Sequence, residues 1–340
     1  MAEYSLSVEL VRELSGGAEI SDAGQRHSEL FGAARLIMEQ SLPEVYIIIL
    51  NWESYADTIE CVEACRNLNY SNFRILLIDN GSRDRSEQIL RERFPEIELL
   101  QTGSDLGYAA GNNIGIRYAL ARKADYVWIL NPDLLVEEDS LTELIKPTLE
   151  HQEVGLCGPR LIHGEKLFSF VFDGLSLDSW DGYQSHFNIV RSKESPPHGD
   201  LLDVDCVSGS SMLVKSEVFR DIGLLREDFF LYYEDAEFCF RARANHWRTP
   251  VCPWIAVRHA KHRQEEPKAI GFYPERSRIV FSRLIAGNDR PVYVTAHNWR
   301  LLRDCMKSFR LGEAIISFLK LILAAILGSV RSLKEIPTVE

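Results

Sequence analysis

Three apolar runs of strand length, each stopping abruptly at polar residues, constrain this 340-residue chain more than any other feature. They are IIILNW (47–52), LLIDNGS (76–82) and ILNPD (129–133), and an aromatic strip ending in paired carboxylates, FLYYEDAEFCFR (230–241), follows them. A run that is apolar on both faces, such as VYIIIL, reads as a strand buried on both sides, the pattern of a parallel sheet. Helical spacing separates the runs: Ile59, Val62, Cys65 and Leu68 after the first, and SEQILRERF after the second, with Ser82 or Asp84 as its cap. IELLQT reads as a third strand, LGYAAGNNIGIRYALARK as a helix opened by glycines, and YVWIL as a fourth strand. This βαβαβαβ alternation predicts an α/β fold with a parallel, doubly wound sheet. In such a sheet the strand ends converge on one crevice, where ligands bind. Asp79, Asp133 and Asp235 are thereby expected in one cleft.

Beyond Glu150 the alternation loosens. Residues 155–205 carry short strand-like pieces broken by Gly, Asp and Pro and read as a loop-rich, mixed-sheet region. VSGSSMLVK reads as turn plus strand, SEVFRDIG as a short helix and EDAEFCFRARAN as a helix. Residues 1–42 show weak helical periodicity split by Gly16 and Gly17 and read as an N-terminal extension. A formal charge of −12 argues against a general nucleic-acid binder. The seven cysteines include no CxxC pair, so neither a zinc ribbon nor a disulfide framework is indicated. Reduced, mostly buried thiols and an acidic start without an apolar leader fit a cytosolic chain.

The strand ends carry the candidate chemistry, and each has a plainer reading beside it. Asp79 can accept the imide N–H of a uracil or thymine ring, but Asp79-Asn80-Gly81-Ser82 is also good strand-to-helix turn chemistry. LGYAAGNNIG matches neither GxGxxG nor GxxxxGK[ST]. Its glycines allow close backbone approach, with Asn112 or Asn113 as donors to a phosphate or ribose, or they simply pack a helix start on the sheet. Asp133 follows Pro132, which fixes the loop. It suits either a Pro-Asp turn or a hard cation, Mg²⁺ or Mn²⁺, held by one or two carboxylates plus substrate phosphates. Glu234 and Asp235 open a helix, where acids complement the dipole. Alternatively one of them, and not both, is a general base facing a hydroxyl. Phe229, Phe230, Tyr232 and Tyr233 offer a wall for a sugar ring. His259, with His262 nearby, is either a metal ligand or structural.

From Val45 to about Leu284 the chain resembles the inverting family-2 glycosyltransferases of GT-A fold, especially their rhamnosyltransferase-like branch. IIILNW, IDNGSRD, LGYAAGNNIGI, WILNPD, CGPRL, VSGSSMLVKSEVF and FFLYYEDAEFCFRAR match that pattern in order. The resemblance implies a GT-A type, mainly parallel, Rossmann-like sheet. It also implies a nucleotide-sugar-binding half at 43–150, an acceptor-binding and catalytic half at 151–290, and a C-terminal helical extension at 291–340. Asn51 and Trp52 would border the nucleobase, Asp79 with Asn80 would meet the base, and Asn112 would lie near the ribose-diphosphate. Asn131 and Asp133 would form the DxD-type site, with Asp133 and His259 on the metal. Asp235 would be the base, with Glu234 beside it, and Gly209, Tyr232 and Tyr233 would face the acceptor. Asn131 replaces the usual first acid. Asn245-His246 stands where Gly is usual, with Asn245 tolerating the left-handed conformation. Arg276-Ser277 and Trp52-Glu53 are further departures.

The implied reaction is transfer of a sugar, with rhamnose the leading candidate, from a dTDP- or UDP-linked donor to a glycan or polyprenyl-linked acceptor during cell-surface polysaccharide synthesis. The alternatives are a UDP-hexose-specific transferase of the same fold and a non-catalytic sugar-nucleotide-binding subunit. A nucleotidyltransferase would need a Gly-rich basic loop after the first strand, and an NAD-dependent oxidoreductase a GxGxxG, and neither is present. Arg300, Arg303, Lys307 and Arg310 form a basic stripe ahead of AIISFLKLILAAILGSV, whose uninterrupted apolar run is shorter than a spanning helix needs. That pairing predicts docking on an anionic membrane surface at the inner face of the cell membrane, the alternative being a helical pair packed on the catalytic domain or on another subunit. A homo-oligomer is compatible with the sequence.

Overall fold

The computed structural model describes residues 42–163, 170–178, 186–189 and 197–259, together with Tyr273, Arg276, Ser277, Val280, Phe281 and Leu284. The expectations for 1–41 and for the basic stripe and apolar run over 300–334 lie outside the described residues.

The chain enters at β1 (Val45–Asn51), whose seven residues are all buried, followed by α1 (Tyr55–Arg66), β2 (Phe73–Asp79) and α2 (Ser86–Arg93). It continues through β3 (Glu98–Gln101), α3 (Gly107–Ala121), β4 (Tyr126–Leu130), the short β5 (Leu134–Leu135) and α4 (Ser140–Glu150). β4, β1, β2 and β3 lie side by side in that order and run parallel, as the alternation predicts. Ile47, Ile48 and Ile49 are wholly buried at the centre. Each such side chain contributes roughly 1.5–3 kcal/mol over remaining exposed. The N-cap of α2 is Arg85, without a side-chain cap bond, rather than Ser82 or Asp84. Asp84 accepts the Ser86 N–H at 2.9 Å from one residue further out, and Ser82 turns back toward the strand ends.

The second half extends the same sheet with mixed polarity. It comprises β6 (Leu156–His163), β7 (Phe170–Phe172), β8 (Leu175–Asp178), β9 (His186–Ile189), β10 (Leu202–Asp203) and β11 (Ser211–Lys215). α5 (Ser216–Ile222), α6 (Glu234–Ala244) and β12 (Pro250–His259) complete it. β11 inserts antiparallel between β4 and β6, and β12 runs parallel to β6 with β10 on its far side. β5 pairs with the end of β12, β7 with β6, and β8 and β9 form a separate two-stranded sheet. Trp128 anchors the junction, fully buried with its indole N–H donating to Ser211 Oγ at 3.0 Å. His246, not Asn245, takes the left-handed conformation after α6, at φ 69°.

The glycines of α3 serve packing first. A Cβ on Gly111 would lie 2.7 Å from Leu50 Cδ1, and one on Gly115 2.8 Å from Ile48 Cγ2. Only a bare backbone lets α3 sit this close to β1, and the approach brings its first turn to the strand ends.

Candidate active site

The polar strand ends form a row. Pairing sets Asn51 opposite Asp79 and Asp79 opposite Gln101, so three neighbouring strands finish at one level. Asp79 is fully buried, and its oxygens accept from Asn51 Nδ2, Ser82 Oγ and Gln101 Nε2, each at 2.6 Å. The Ser82 N–H adds a fourth bond at 3.2 Å. Asn51 is also fully buried and accepts from Thr58 Oγ1 at 2.8 Å, which ties α1 to the end of β1. Trp52 stands outside it as an exposed rim residue, 43% accessible. Asn80 braces the loop into α3: its amide donates to Asp105 Oδ1 at 3.0 Å and its oxygen accepts from Leu106 N at 3.2 Å.

A second group gathers where α3 meets the ends of β4 and β11. The Tyr108 hydroxyl lies 3.0 Å from Asn131 Oδ1 and 2.8 Å from the Gly209 carbonyl. A phenol has one proton, so both contacts are satisfied when it donates to Gly209 and the Asn131 amide turns its NH₂ toward the phenol oxygen. An aspartate at 131 has no such donor, a local reason for asparagine at the departure noted above. The Asn131 N–H also donates to Ser210 O at 2.7 Å. Burial raises the Tyr108 pKa well above the ordinary phenol value, and Glu234, Asp235 and Asp133 reinforce the shift. Asn112 is fully buried; its amide donates to Tyr108 O at 3.0 Å, while its Oδ1 has no hydrogen-bond partner. Asn113 is spent on structure, bonded to Leu225 and Glu227.

Asp235 sits in the first turn of α6, partly exposed, with Oδ2 accepting the Gly209 N–H and Oδ1 the Ala236 N–H, both at 2.8 Å. A Cβ on Gly209 would lie 3.0 Å from Asp235 Cβ, so the glycine permits the loop to close on the carboxylate. Burial raises the Asp235 pKa, opposed by those two N–H bonds. Glu234 turns the other way, into the protein: it is 5% exposed and its Oε2 has no partner. Tyr232 and Tyr233 place both acids by adopting left-handed backbone in succession, at φ 67° and 69°, uncommon for bulky residues. The expected aromatic wall is thinner than the sequence implied. Phe229 is fully buried core, Phe230 stacks on Tyr273 at 4.7 Å, and Tyr233 packs on Phe281 at 5.5 Å. Ser277 fastens the strip by donating to Leu231 O at 2.8 Å.

Asp133 Oδ2 and His259 Nδ1 lie 3.0 Å apart. The antiparallel pairing of β5 with β12, which sets His259 opposite Leu134, brings them together across 126 positions of sequence. Ser82, Gln101 and Tyr108 bond to the candidate residues Asp79 and Asn131, although the sequence reading takes Ser82 only as a cap and passes over the other two. Gln101 carries a usable signal, since it is the first polar residue after an apolar strand, as Asn51 and Asp79 are. Tyr108 carries none: a tyrosine between glycines and alanines looks like packing.

Burial pushes the Glu234 carboxyl well above its ordinary range, and repulsion from Asp235 adds to this. Its contribution to stability is therefore complete below the unfolded-state pKa and is lost as pH rises through the raised folded value. Glu234→Gln is expected to melt a few degrees above the wild type at about pH 8 and level with it at about pH 4. Thermal melts at the two pH values decide it. A variant that melts no higher at the alkaline pH would mean that Glu234 carries a compensated charge.

A family model described as glycosyl transferase family 2 matches residues 46–223, more than half of the chain. The low-salt glycan biosynthesis hexosyltransferase Agl10 of Haloferax volcanii is 30% identical over 233 residues, covering 66% of this chain and 69% of its own. The N-acetylglucosaminyl-diphospho-decaprenol L-rhamnosyltransferase of Mycobacterium tuberculosis is 26% identical over 203 residues, 55% of this chain and 66% of its own. The rhamnosyltransferase WbbL of Escherichia coli is 24% identical, with coverage of 64% and 84%. In fold the chain is similar to the mannosyltransferase PcManGT from Pyrobaculum calidifontis, solved with GDP-Man and Mn²⁺. The TM-score is 0.55 at 16% identity, over 91% of this chain and 96% of that one. The chain spans just under half of GalNAc-T7, solved with UDP, GalNAc and Mn²⁺, at a TM-score of 0.54 and 13% identity. The chain belongs to glycosyl transferase family 2, as the ordered motifs and the strand-end crevice imply.

Proposed function

We propose that the chain transfers a sugar from a nucleoside-diphosphate donor to an acceptor hydroxyl by single displacement, with Asp235 as the base. One observation carries this reading. Asp235 is a partly exposed carboxylate held by the Gly209 loop, and that loop is joined through Tyr108 to Asn131, two residues from Asp133. Proton acceptor and donor-side loop thus share one hydrogen-bonded frame. Asp235 takes the hydroxyl proton as that oxygen attacks the anomeric carbon from the face opposite the leaving diphosphate. The anomeric configuration inverts, and no covalent enzyme intermediate forms.

Asp133 and His259 would hold a divalent cation, Mg²⁺ or Mn²⁺. Their facing oxygen and nitrogen fit such an ion as two protein ligands, the rest coming from diphosphate oxygens and water. Among the described residues no group of three or more His, Cys, Asp or Glu gathers to hold a metal. When bound, the ion supplies positive charge against the departing diphosphate. Asn51, Asp79 and Asn80 organise the base end, and Asn112 lies toward the ribose-diphosphate. Gly209, Tyr232 and Tyr233 border the acceptor.

The rhamnosyltransferase relatives support a deoxysugar donor such as dTDP-rhamnose and a glycan or polyprenyl-linked acceptor. The basic stripe of 300–310 with the apolar run after it supports an acceptor met at an anionic membrane surface. Among the described residues no helix is long and apolar enough to cross a membrane. The test is a donor panel, dTDP-rhamnose against UDP-hexoses, read by nucleoside-diphosphate release and by NMR of the product's anomeric configuration. Inverted product with dTDP-rhamnose preferred is expected. Retained configuration would overturn the mechanism, and a UDP-hexose preference would reassign the donor.

A further inference from the structure

Gln101 closes the row of strand ends in a way the proposed reaction leaves unexplained. Its side chain is exposed at the end of β3, yet its hydrogen-bonding groups on both sides of the amide are engaged. Nε2 donates to Asp79 Oδ2 at 2.6 Å and to Glu87 Oε2 at 2.8 Å. Oε1 accepts from Gly81 N at 3.2 Å and Gly103 N at 3.1 Å. Both glycines have positive φ, 69° and 79°, which aims two backbone N–H groups at one oxygen. A Cβ on Gly81 would also collide with the backbone of Ser104, so the turn admits no larger residue. The Asp79 carboxylate is fully buried, so its acceptor is costly to leave unmade, whereas the Gly81 and Gly103 N–H bonds lie at the exposed surface. This corner therefore sets a buried acceptor beside two surface N–H groups, and Gln101 matches it from within the chain with an N–H beside a carbonyl oxygen.

The imide edge of uracil or thymine presents the same pair, a ring N–H beside a carbonyl oxygen. We infer that the Gln101 amide is an internal stand-in for the nucleobase, and that a uracil or thymine edge takes its place on Asp79, Gly81 and Gly103 when the donor binds. The inference rests on the nucleotide-sugar reading above and adds to it a residue that sets the apparent affinity for the base. Gln101 is exposed, so swinging its side chain out sacrifices little packing. Exposed Trp52, one residue past Asn51 in the adjoining strand row, is left as rim. The exchange remakes the bonds to Asp79, Gly81 and Gly103 and gives up only the exposed bond to Glu87, so the corner is satisfied both empty and filled. The consequence is weaker apparent binding, because only molecules with the amide displaced are competent. A corner occupied by its own amide ~90% of the time binds about tenfold more weakly than an open one.

The test is calorimetric titration, with Mg²⁺ present, of UDP, dTDP, GDP, N3-methyl-UDP and inorganic pyrophosphate into wild type, Gln101→Ala and Gln101→Leu. Leucine keeps the bulk and removes both hydrogen-bonding groups, and thermal melts of each variant verify folding. Both variants are expected to bind UDP and dTDP about tenfold more tightly than wild type, with pyrophosphate affinity unchanged. N3-methyl-UDP, which lacks the imide N–H, is expected to bind all three proteins more weakly than UDP. Unchanged or weaker UDP binding by the folded variants, an equal shift with pyrophosphate, or a preference for GDP overturns the inference while leaving nucleotide binding intact. Binding of none of the nucleotides to any of the three proteins overturns the nucleotide-sugar reading itself, and this inference with it.

Discussion

Asp235→Asn is expected to reduce transfer by about 10²–10⁴-fold, the usual contribution of a positioned general base, with nucleotide affinity nearly unchanged. The amide has the same shape, and its oxygen can still accept the Gly209 N–H, so the loop that Asp235 holds remains in place. What disappears is the capacity to take a proton. Turnover at saturating donor, paired with calorimetry of the nucleoside diphosphate, separates the two effects. Near-normal turnover would remove Asp235 as the base, and Glu234, turned into the protein, could not replace it without a change of conformation. The wild-type pH profile carries the same signature. Burial raises the Asp235 pKa, and the base acts only when deprotonated. The acid limb of kcat/KM is therefore expected to fall at higher pH than for an ordinary aspartate, and to vanish from the residual activity of the asparagine variant.

The second large effect concerns the donor side. Asp133→Ala is expected to lower turnover by roughly 10²-fold or more, since a bound cation supplies several kcal/mol of charge stabilisation at a phosphoryl oxygen. It should also weaken nucleoside-diphosphate binding when Mg²⁺ or Mn²⁺ is present and change little in excess chelator. His259 alone keeps one nitrogen at the position, too little for a hard cation that prefers oxygen. Affinity measured with and without metal, for both proteins, gives a four-way comparison in which the metal-dependent part should be lost in the variant. Full wild-type activity in excess chelator would take the cation out of the reaction and leave the Asp133–His259 contact as a brace for the β5–β12 pairing.

Much of this architecture was legible as pattern. VYIIIL and YVWIL are short, continuous and apolar, FRILLID is so from Ile75 to Ile78, and hydrophobic burial on both faces admits few arrangements other than adjacent parallel strands. That they end in Asn51, Asp79 and Asn131-Pro132-Asp133 follows from where the sheet meets water, so polar side chains fall on one edge. The paired acids after FFLYY likewise announce a helix start, and the tilt of successive side chains around a helix lets only one of Glu234 and Asp235 face the cleft.

Other features depend on pairings between distant segments, which no local pattern encodes. The antiparallel insertion of β11 between β4 and β6 brings Gly209 beside Asp235 and Tyr108. The meeting of β5 with β12 unites Asp133 and His259. The left-handed backbone at Tyr232 and Tyr233 runs against the preference of bulky residues, and at the end of α6 it falls on His246 rather than Asn245. By itself the sequence determined the four parallel strands of the first half, their polar ends and the acids that stand there, because periodicity and burial are local properties; β5 and β12 it did not mark. Only the tertiary structure decided which of those groups touch and which are already satisfied: Gln101 on Asp79, Tyr108 between two loops, Glu234 turned inward. Hydrogen-bond partnership depends on ångström-scale register between chain segments far apart in sequence.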